Sequence, residues 1–252
     1  ATAVAQKTVD RDAFRANSHR IERGQTIELD DLLARWVRMG YRFEPTVYRP
    51  GSASRRGGIL DIFPVEALLP VRIELWGSEI DSIRQFDPAT QRSTDLLDSV
   101  AVIPARETLP GLTGRDQMDR LIGRMDTSNC TAASRQRVLD EMESLLSGRE
   151  VEEVSFYAGF FNHGSLLDYF PADGLLVVFR PTDVQAAAWE TEERVHDLRS
   201  VKERRGELPL HFPSSHMGWN DVEEQAGSIA RRLEVLPWGA EQLIHTDVHI
   251  LP

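Results

Sequence analysis

Residues that could hold a metal ion lie close to the end of the sequence. His245, Asp247 and His249 alternate, so on a strand all three side chains share one face, and imidazole with carboxylate can ligate zinc or iron. No further ligand stands at a recognisable spacing, and polar residues are common on the outer face of a terminal strand. We therefore expect a polar strand face here and no bound metal.

The sequence lacks the loop that cradles nucleotide phosphates. Such a loop has the form G-x-x-x-x-G-K-[ST], and neither of the two lysines, Lys7 and Lys202, follows a glycine. The apolar run 175–179 continues into Arg180 and Pro181, where an ATPase of this layout carries the acidic pair that holds magnesium. We expect no ATP or magnesium cofactor in this chain and no nucleotide hydrolysis by it alone.

Acid–base catalysis has little support among the remaining polar residues. His211 and His216 flank a Pro-Ser-Ser segment that is more simply a loop than a catalytic dyad. Asp61 lies in an apolar strand, where a lone carboxylate more often caps a turn or pairs with an arginine than acts as a general acid. No set of serine, histidine and aspartate can be chosen over its competitors.

An arginine and a tryptophan alternate with apolar residues in the segment 71–76. Val71, Ile73 and Leu75 predict the buried face of a strand, which places Arg72 and Trp76 together on the outer face. Both residue types give much contact area for each side chain and tolerate desolvation, so they are typical anchors for a protein partner. The pattern favours binding over catalysis.

Composition limits the classes of function that remain. Hydrophobic residues make up 41% of 252 residues, which is enough for a sizeable core, and the net charge of −11 restricts any nucleic-acid binding to a local patch. The single cysteine, Cys130, suits a reducing cytosol. No apolar run approaches a membrane span, so we expect a soluble, cytoplasmic protein without a membrane partner. The abrupt start suggests a piece of a longer chain.

The elements that must position these residues fall into two groups. A helix is predicted at 30–39, ended by Gly40 in the left-handed conformation, and a hairpin turn at 77–79. Strands are predicted at 42–48, 59–63, 71–76, 80–86 and 100–103. Helices follow at 116–125, 135–146, 182–204 and 220–233, with a buried strand at 175–179 between them. A continuous apolar strand flanked by helices favours a parallel α/β layer, giving a mixed α+β chain.

The strand segments resemble the second domain shared by the excinuclease protein UvrB and the bacterial transcription-repair coupling factor. The resemblance is strong to about Ala105 and thin afterwards. Its motifs are residues 4–7, 40–42, 56–64, 72–77, 80–87, 90–93, 103–105 and 166–171. It implies a degenerate helicase-like α/β domain at 1–25 and 109–252, into which a small β-rich domain at 26–108 is inserted.

Between the two families, the coupling factor fits better. UvrB would show an acidic pair after the buried strand and a long aromatic-rich hairpin, neither of which is present. In the coupling factor this module is a degenerate, nucleotide-free relative of UvrB. The resemblance then implies that the chain is a fragment, with RNA polymerase, DNA and ATP bound by downstream domains of the whole protein.

The resemblance also implies a partner and a site. In the family the second domain docks UvrA, the damage-recognition ATPase of the excinuclease, through two arginines and an aromatic residue, which correspond here to Arg56, Arg72 and Trp76. Two plainer interpretations stay open: Arg56 only braces the turn at Gly57 and Gly58, or Trp76 lies half-buried beneath the neighbouring domain.

Two other functions are kept as alternatives. The chain could be a fragment of the excinuclease ATPase UvrB, in which case it would bind nucleotide. It could instead bind DNA directly through its arginines, with an affinity that falls steeply as the salt concentration is raised. The net charge of −11 disfavours this function.

Overall fold

The computed structural model describes residues 2–113, 115–149 and 151–237, and its first part is built mostly of strands. The elements in chain order are α1 Thr2–Ala5, α2 Arg11–Asn17, β1 His19–Glu22, α3 Leu29–Arg38, β2 Arg42–Phe43, β3 Ser52–Arg56, β4 Ile59–Ile62, β5 Val71–Trp76, β6 Glu79–Phe86, β7 Ser93–Leu97 and β8 Ser99–Val102. Strands β2 to β7 form a six-stranded sheet in sequence order, whereas β1 and β8 pair separately as the entry and exit of this unit.

One face of the six-stranded sheet packs on α3. The helix presents Leu32, Leu33 and Trp36 at helical spacing to the buried strand residues, and Trp36 is fully buried. The predicted end of the helix is confirmed, because Gly40 has a φ of 88°. Burial of this apolar layer leaves the other face of the sheet, which we call the outer face, directed away from α3.

The strand predictions differ from the structure mainly where the sequence is polar. The segment 71–76 is confirmed in full, but the strand expected at 42–48 ends at Phe43 because Pro45 starts a loop. Three further strands, β1, β3 and β7, are not predicted by the sequence pattern. Strand β3 shows the reason. Its sequence has almost no alternation of apolar and polar residues, so the strand is stabilised by its pairing with β4 and not by its own composition.

The second part of the chain is mainly helical. Its elements are α4 Arg115–Gly123, α5 Ala132–Leu146, α6 Ala158–Phe161, β9 Leu176–Phe179, α7 Pro181–Arg204, α8 Trp219–Gly227 and β10 Arg232–Val235, with 3-10 turns at Pro110–Leu112, Val154–Tyr157 and Leu166–Tyr169. A core of Met118, Met142, Tyr157, Phe160 and Phe212 joins α4, α5 and α6.

A parallel α/β layer is confirmed, but two details of its prediction are wrong. The last helix ends at Gly227, and the final two residues of the predicted helix, Arg232 and Leu233, instead begin β10, which pairs in parallel with β9. Strand β9 is not buried, because Val177 and Phe179 are exposed on the face that no described element covers. The chain is therefore mixed α+β, as expected.

A buried asparagine joins the two parts of the chain. The side-chain amide of Asn162 donates to the backbone oxygen of Lys7 at 3.1 Å and to that of Glu107 at 2.9 Å. Lys7 precedes the first strand of the β-rich part, β1, and Glu107 follows its last strand, β8. The same side chain therefore holds both connections, and with them the position of the sheet relative to the helices.

Candidate functional site

Two tight turns place the candidate residues at one end of the sheet. Strands β3 and β4 are joined through Gly57, with φ of 61°, and β5 and β6 through Gly77, with φ of 64°. Both values lie in the left-handed region that glycine adopts at little cost. Because Ile59 pairs with Glu74, the two turns lie at the same end, which brings Arg56 and Trp76 to that end of the outer face.

A buried carboxylate lies at the centre of the outer face. Asp61 faces Arg72 in the register of β4 and β5, and only 1% of the Asp61 side chain is exposed. Its two oxygens accept from Nε of Arg72 at 2.7 Å and from Nη2 of Arg72 at 2.9 Å. Nη2 of Arg56 donates to the same carboxylate at 2.5 Å. The expectation that Asp61 pairs with an arginine is confirmed.

Arg72 is fixed on several sides. Hydrogen bonding to Asp61 is the main cause that raises the pKa of this guanidinium above its ordinary value. The guanidinium carbon lies 4.8 Å from the centre of the Phe86 ring, and Nη1 donates to the backbone oxygen of Gln91 at 3.3 Å. Only 15% of the side chain is exposed, so Arg72 lies on the outer face as expected but offers little free surface.

Arg56 and Trp76 provide the accessible area. The Arg56 side chain is 50% exposed while it donates to Asp61, and Trp76 is 83% exposed. Within the part of the chain that the structure describes, nothing buries Trp76, so the interpretation that places it beneath a neighbouring domain is wrong there. Arg56 donates a hydrogen bond to Asp61 on β4, so its role is not limited to bracing the turn at Gly57 and Gly58.

The outer-face surface around Arg56, Arg72 and Trp76 can recognise a partner. Among these three residues and Asp61, no reactive group is placed for catalysis. A partly exposed guanidinium can donate two hydrogen bonds to a carboxylate, and an exposed indole can pack against an apolar side chain. Asp61, which accepts hydrogen bonds from both arginines, is not among the site residues predicted from the sequence. Its signal was present, because Asp61 alternates with the buried Leu60 and Ile62 and so shares the outer face.

The other candidate residues do not assemble into a site in the described part of the chain. His216 lies beside Ser215, with Nδ1 3.0 Å from the hydroxyl, and its pKa is lowered by burial and by the charge of Lys7. In the part of the chain that the structure describes, neither Ser215 nor His216 forms a hydrogen bond with a carboxylate. His245, Asp247 and His249 lie outside the described residues. Within the described ranges, no group of three or more His, Cys, Asp or Glu residues is placed to hold a metal ion.

The described helices include no candidate for a membrane span. Across the ranges 2–113, 115–149 and 151–237, every helix is too short or too polar to cross a bilayer.

Comparison with known proteins assigns the outer face to a recognised domain. A family model described as the UvrB interaction domain matches residues 20–107, a range that includes Arg56, Asp61, Arg72 and Trp76. The match begins within β1 and extends just past β8.

Three similar proteins carry the same name. The transcription-repair-coupling factor of Myxococcus xanthus is 32% identical over 256 residues, which cover 97% of this chain and 20% of that protein. The factor of Bacillus subtilis is 33% identical over 180 residues, covering 66% and 15%, and that of Staphylococcus aureus is 48% identical over 84 residues, covering 33% and 7%. The chain spans a fifth or less of the length of these relatives. It therefore belongs to the transcription-repair-coupling factors, matched over a region that contains a UvrB interaction domain.

Proposed function

We propose that this chain is the docking module of a transcription-repair-coupling factor, and that it recruits the excinuclease ATPase UvrA in transcription-coupled repair. The matched UvrB interaction domain supports this, since it includes the whole outer face. The name shared by the relatives supports the repair pathway. It also favours this family over UvrB itself.

Docking takes place through Arg56, Arg72 and Trp76. The observation that carries the proposal is the exposure of Trp76 on the same face of the sheet as two guanidinium groups that are already fixed by Asp61. A side chain held in its bound geometry loses less conformational entropy on association, so a fixed arginine suits a binding site. Each anchor contributes on the order of 2 kcal/mol, as is typical of aromatic and arginine residues at the centre of an interface.

The chain acts without nucleotide chemistry of its own. Strand β9 leads directly into Arg180, with φ of 52°, and Pro181 at the start of α7, and Arg180 pairs with Asp183 at 2.5 Å. A cation and a proline in these positions do not suit a magnesium site. We assign ATP hydrolysis, DNA translocation and RNA polymerase binding to other regions of the longer protein, since the chain covers only 20% of its Myxococcus relative.

The test is a calorimetric titration of the 252-residue chain with purified UvrA. We expect saturable one-to-one binding that persists without nucleotide. Equilibrium dialysis with ATP and a titration with duplex DNA at two salt concentrations test the alternatives. Binding of ATP by the chain would favour a UvrB fragment, and steeply salt-dependent DNA binding without UvrA binding would favour a DNA-binding module.

A further inference from the structure

One row of side chains crosses the outer face from β3 to β7. The cross-strand partners in this row, given in strand order, are Ser54, Asp61, Arg72, Arg84 and Leu96. Residues paired directly across antiparallel strands point to the same face, with Cβ atoms about 5 Å apart. The row therefore continues past Arg72 onto β6 and β7, beyond the three residues of the proposed docking site.

Arg72 and Arg84 are directly opposite each other on adjacent strands. Like charges in this arrangement are destabilising unless one of them is neutralised. Asp61 neutralises Arg72. Arg84 is half-buried, yet within the part of the chain that the structure describes its guanidinium forms no ion pair or side-chain hydrogen bond. Among the described residues, Arg84 is thus a cation on the outer face without a carboxylate partner.

Glu74, the acidic residue on the same face of β5, already accepts a hydrogen bond from another residue. Glu74 lies two residues from Arg72 and accepts a hydrogen bond from the hydroxyl of Ser82 at 2.7 Å. Next to Arg84 on the other side, Leu96 is an exposed apolar residue on β7. A positive charge beside an exposed leucine is complementary to a carboxylate beside an apolar side chain.

We propose that Arg84 and Leu96 extend the docking surface, with Arg84 binding a carboxylate of UvrA and Leu96 packing against an apolar side chain next to it. The proposal rests on the proposed function and identifies a further part of the same interface. Arg84 then acts as a specificity residue that favours an acidic partner surface, while Trp76 provides apolar contact at the end of the sheet.

Four variants of the 252-residue chain test this in calorimetric titrations with UvrA. Arg84→Gln replaces the guanidinium with a shorter, neutral amide, and we expect affinity to fall about tenfold. Arg84→Glu should lower affinity about 100-fold, because it brings two carboxylates together. Leu96→Ala should lower affinity about fivefold through lost apolar contact. Arg38→Gln, on the exposed side of α3 behind the sheet, is the matched control and should bind like the parent.

A melting curve separates binding from folding. Because Arg84 has no ion-pair partner among the described residues and faces Arg72, Arg84→Gln should leave the midpoint unchanged or raise it slightly. The affinity loss should shrink at high salt. Parent-like affinity of both Arg84 variants, with Trp76→Ala still impaired, would overturn the extension and leave the docking function intact. No binding by the parent would overturn both.

Discussion

Asp61 and Arg72, in register on adjacent strands, share two hydrogen bonds of 2.7 and 2.9 Å on the outer face of the sheet. The carboxylate is almost fully buried and depends on Arg72 and Arg56 for its neutralisation. Arg72 therefore serves the stability of the domain as well as its proposed docking. Substitutions around Asp61 can separate these two roles.

Removal of Arg72 should cost more stability than removal of Arg56. Arg72→Ala leaves a buried carboxylate with a single hydrogen-bond donor, and we expect the free energy of unfolding to fall by about 3 kcal/mol. Arg56→Ala removes the more exposed partner and should cost about 1 kcal/mol or less. Urea unfolding of both variants measures the difference. Equal losses would show that the two arginines share the carboxylate evenly.

Arg56 should contribute to binding more than to folding. Arg56→Gln is expected to lower the affinity for UvrA about tenfold while stability changes little. Arg55→Gln is a matched control, because Arg55 is the preceding residue on β3 and lies 3.5 Å from Asp30 of α3, on the opposite side of the sheet. If the control lost as much affinity as Arg56→Gln, the docking face would be assigned to the wrong side.

Acid should destabilise the β-rich part through His19. Nε2 of His19 accepts from the indole of the buried Trp36 at 3.2 Å, so the ring is neutral with its proton on Nδ1, near the backbone oxygen of Asn17. Burial, aided by the charge of Arg35, lowers the pKa of His19 below its ordinary value of 6.5. The folded state thus binds fewer protons than the unfolded state, and stability present above pH 6.5 is lost as the pH falls through the folded-state pKa.

Urea unfolding at several pH values measures this effect. His19→Gln can still accept from Trp36 and does not titrate, so its stability should depend less on pH than that of the parent. Some dependence should remain, because the pKa of His216 is lowered in the same direction by burial and by Lys7. Identical pH profiles for parent and variant would exclude His19 as a cause.

Asn162 should hold the sheet in place relative to the helical part. Asn162→Ala removes the donor to Lys7 and Glu107, and we expect a loss of about 1–2 kcal/mol with faster amide exchange at both connections. Asn129→Ala is the control: its amide donates to the backbone oxygens of Glu203 and Leu208, both within the helical part. Its effect on exchange should be confined there. If the amides near Lys7 and Glu107 stayed protected from exchange in Asn162→Ala, the role of Asn162 in holding the sheet would be contradicted.

Apolar periodicity is enough to predict the elements that pack the core. Strand β5 and helix α3 follow from their buried residues and from Gly40, and alternation alone places Arg72 on the outer face. Strand β3 cannot be found in this way, since its polar residues gain their partners only when β4 pairs with it. Local pattern does not contain that long-range pairing.

The candidate site was predictable in position but not in its interactions. The predicted strand 71–76 carries Arg72 and Trp76 as expected, whereas Arg56 lies on β3, a strand that the sequence pattern did not predict. The docking role of all three residues stays a prediction. That both arginines converge on Asp61 depends on the register of three strands, which a one-residue shift would destroy. The exposed face of β9 was missed for the converse reason, because an apolar run indicates burial even where no described element covers it.

Calorimetry with Trp76→Ala and Trp189→Ala, titrated with UvrA, tests the central claim most directly. Both tryptophans are exposed, at 83% and 53%, but Trp189 lies on α7 in the helical part. We expect Trp76→Ala to lose about 2 kcal/mol of binding free energy with no fall in melting temperature, and Trp189→Ala to bind like the parent. Parent-like binding by Trp76→Ala would contradict docking through the outer face.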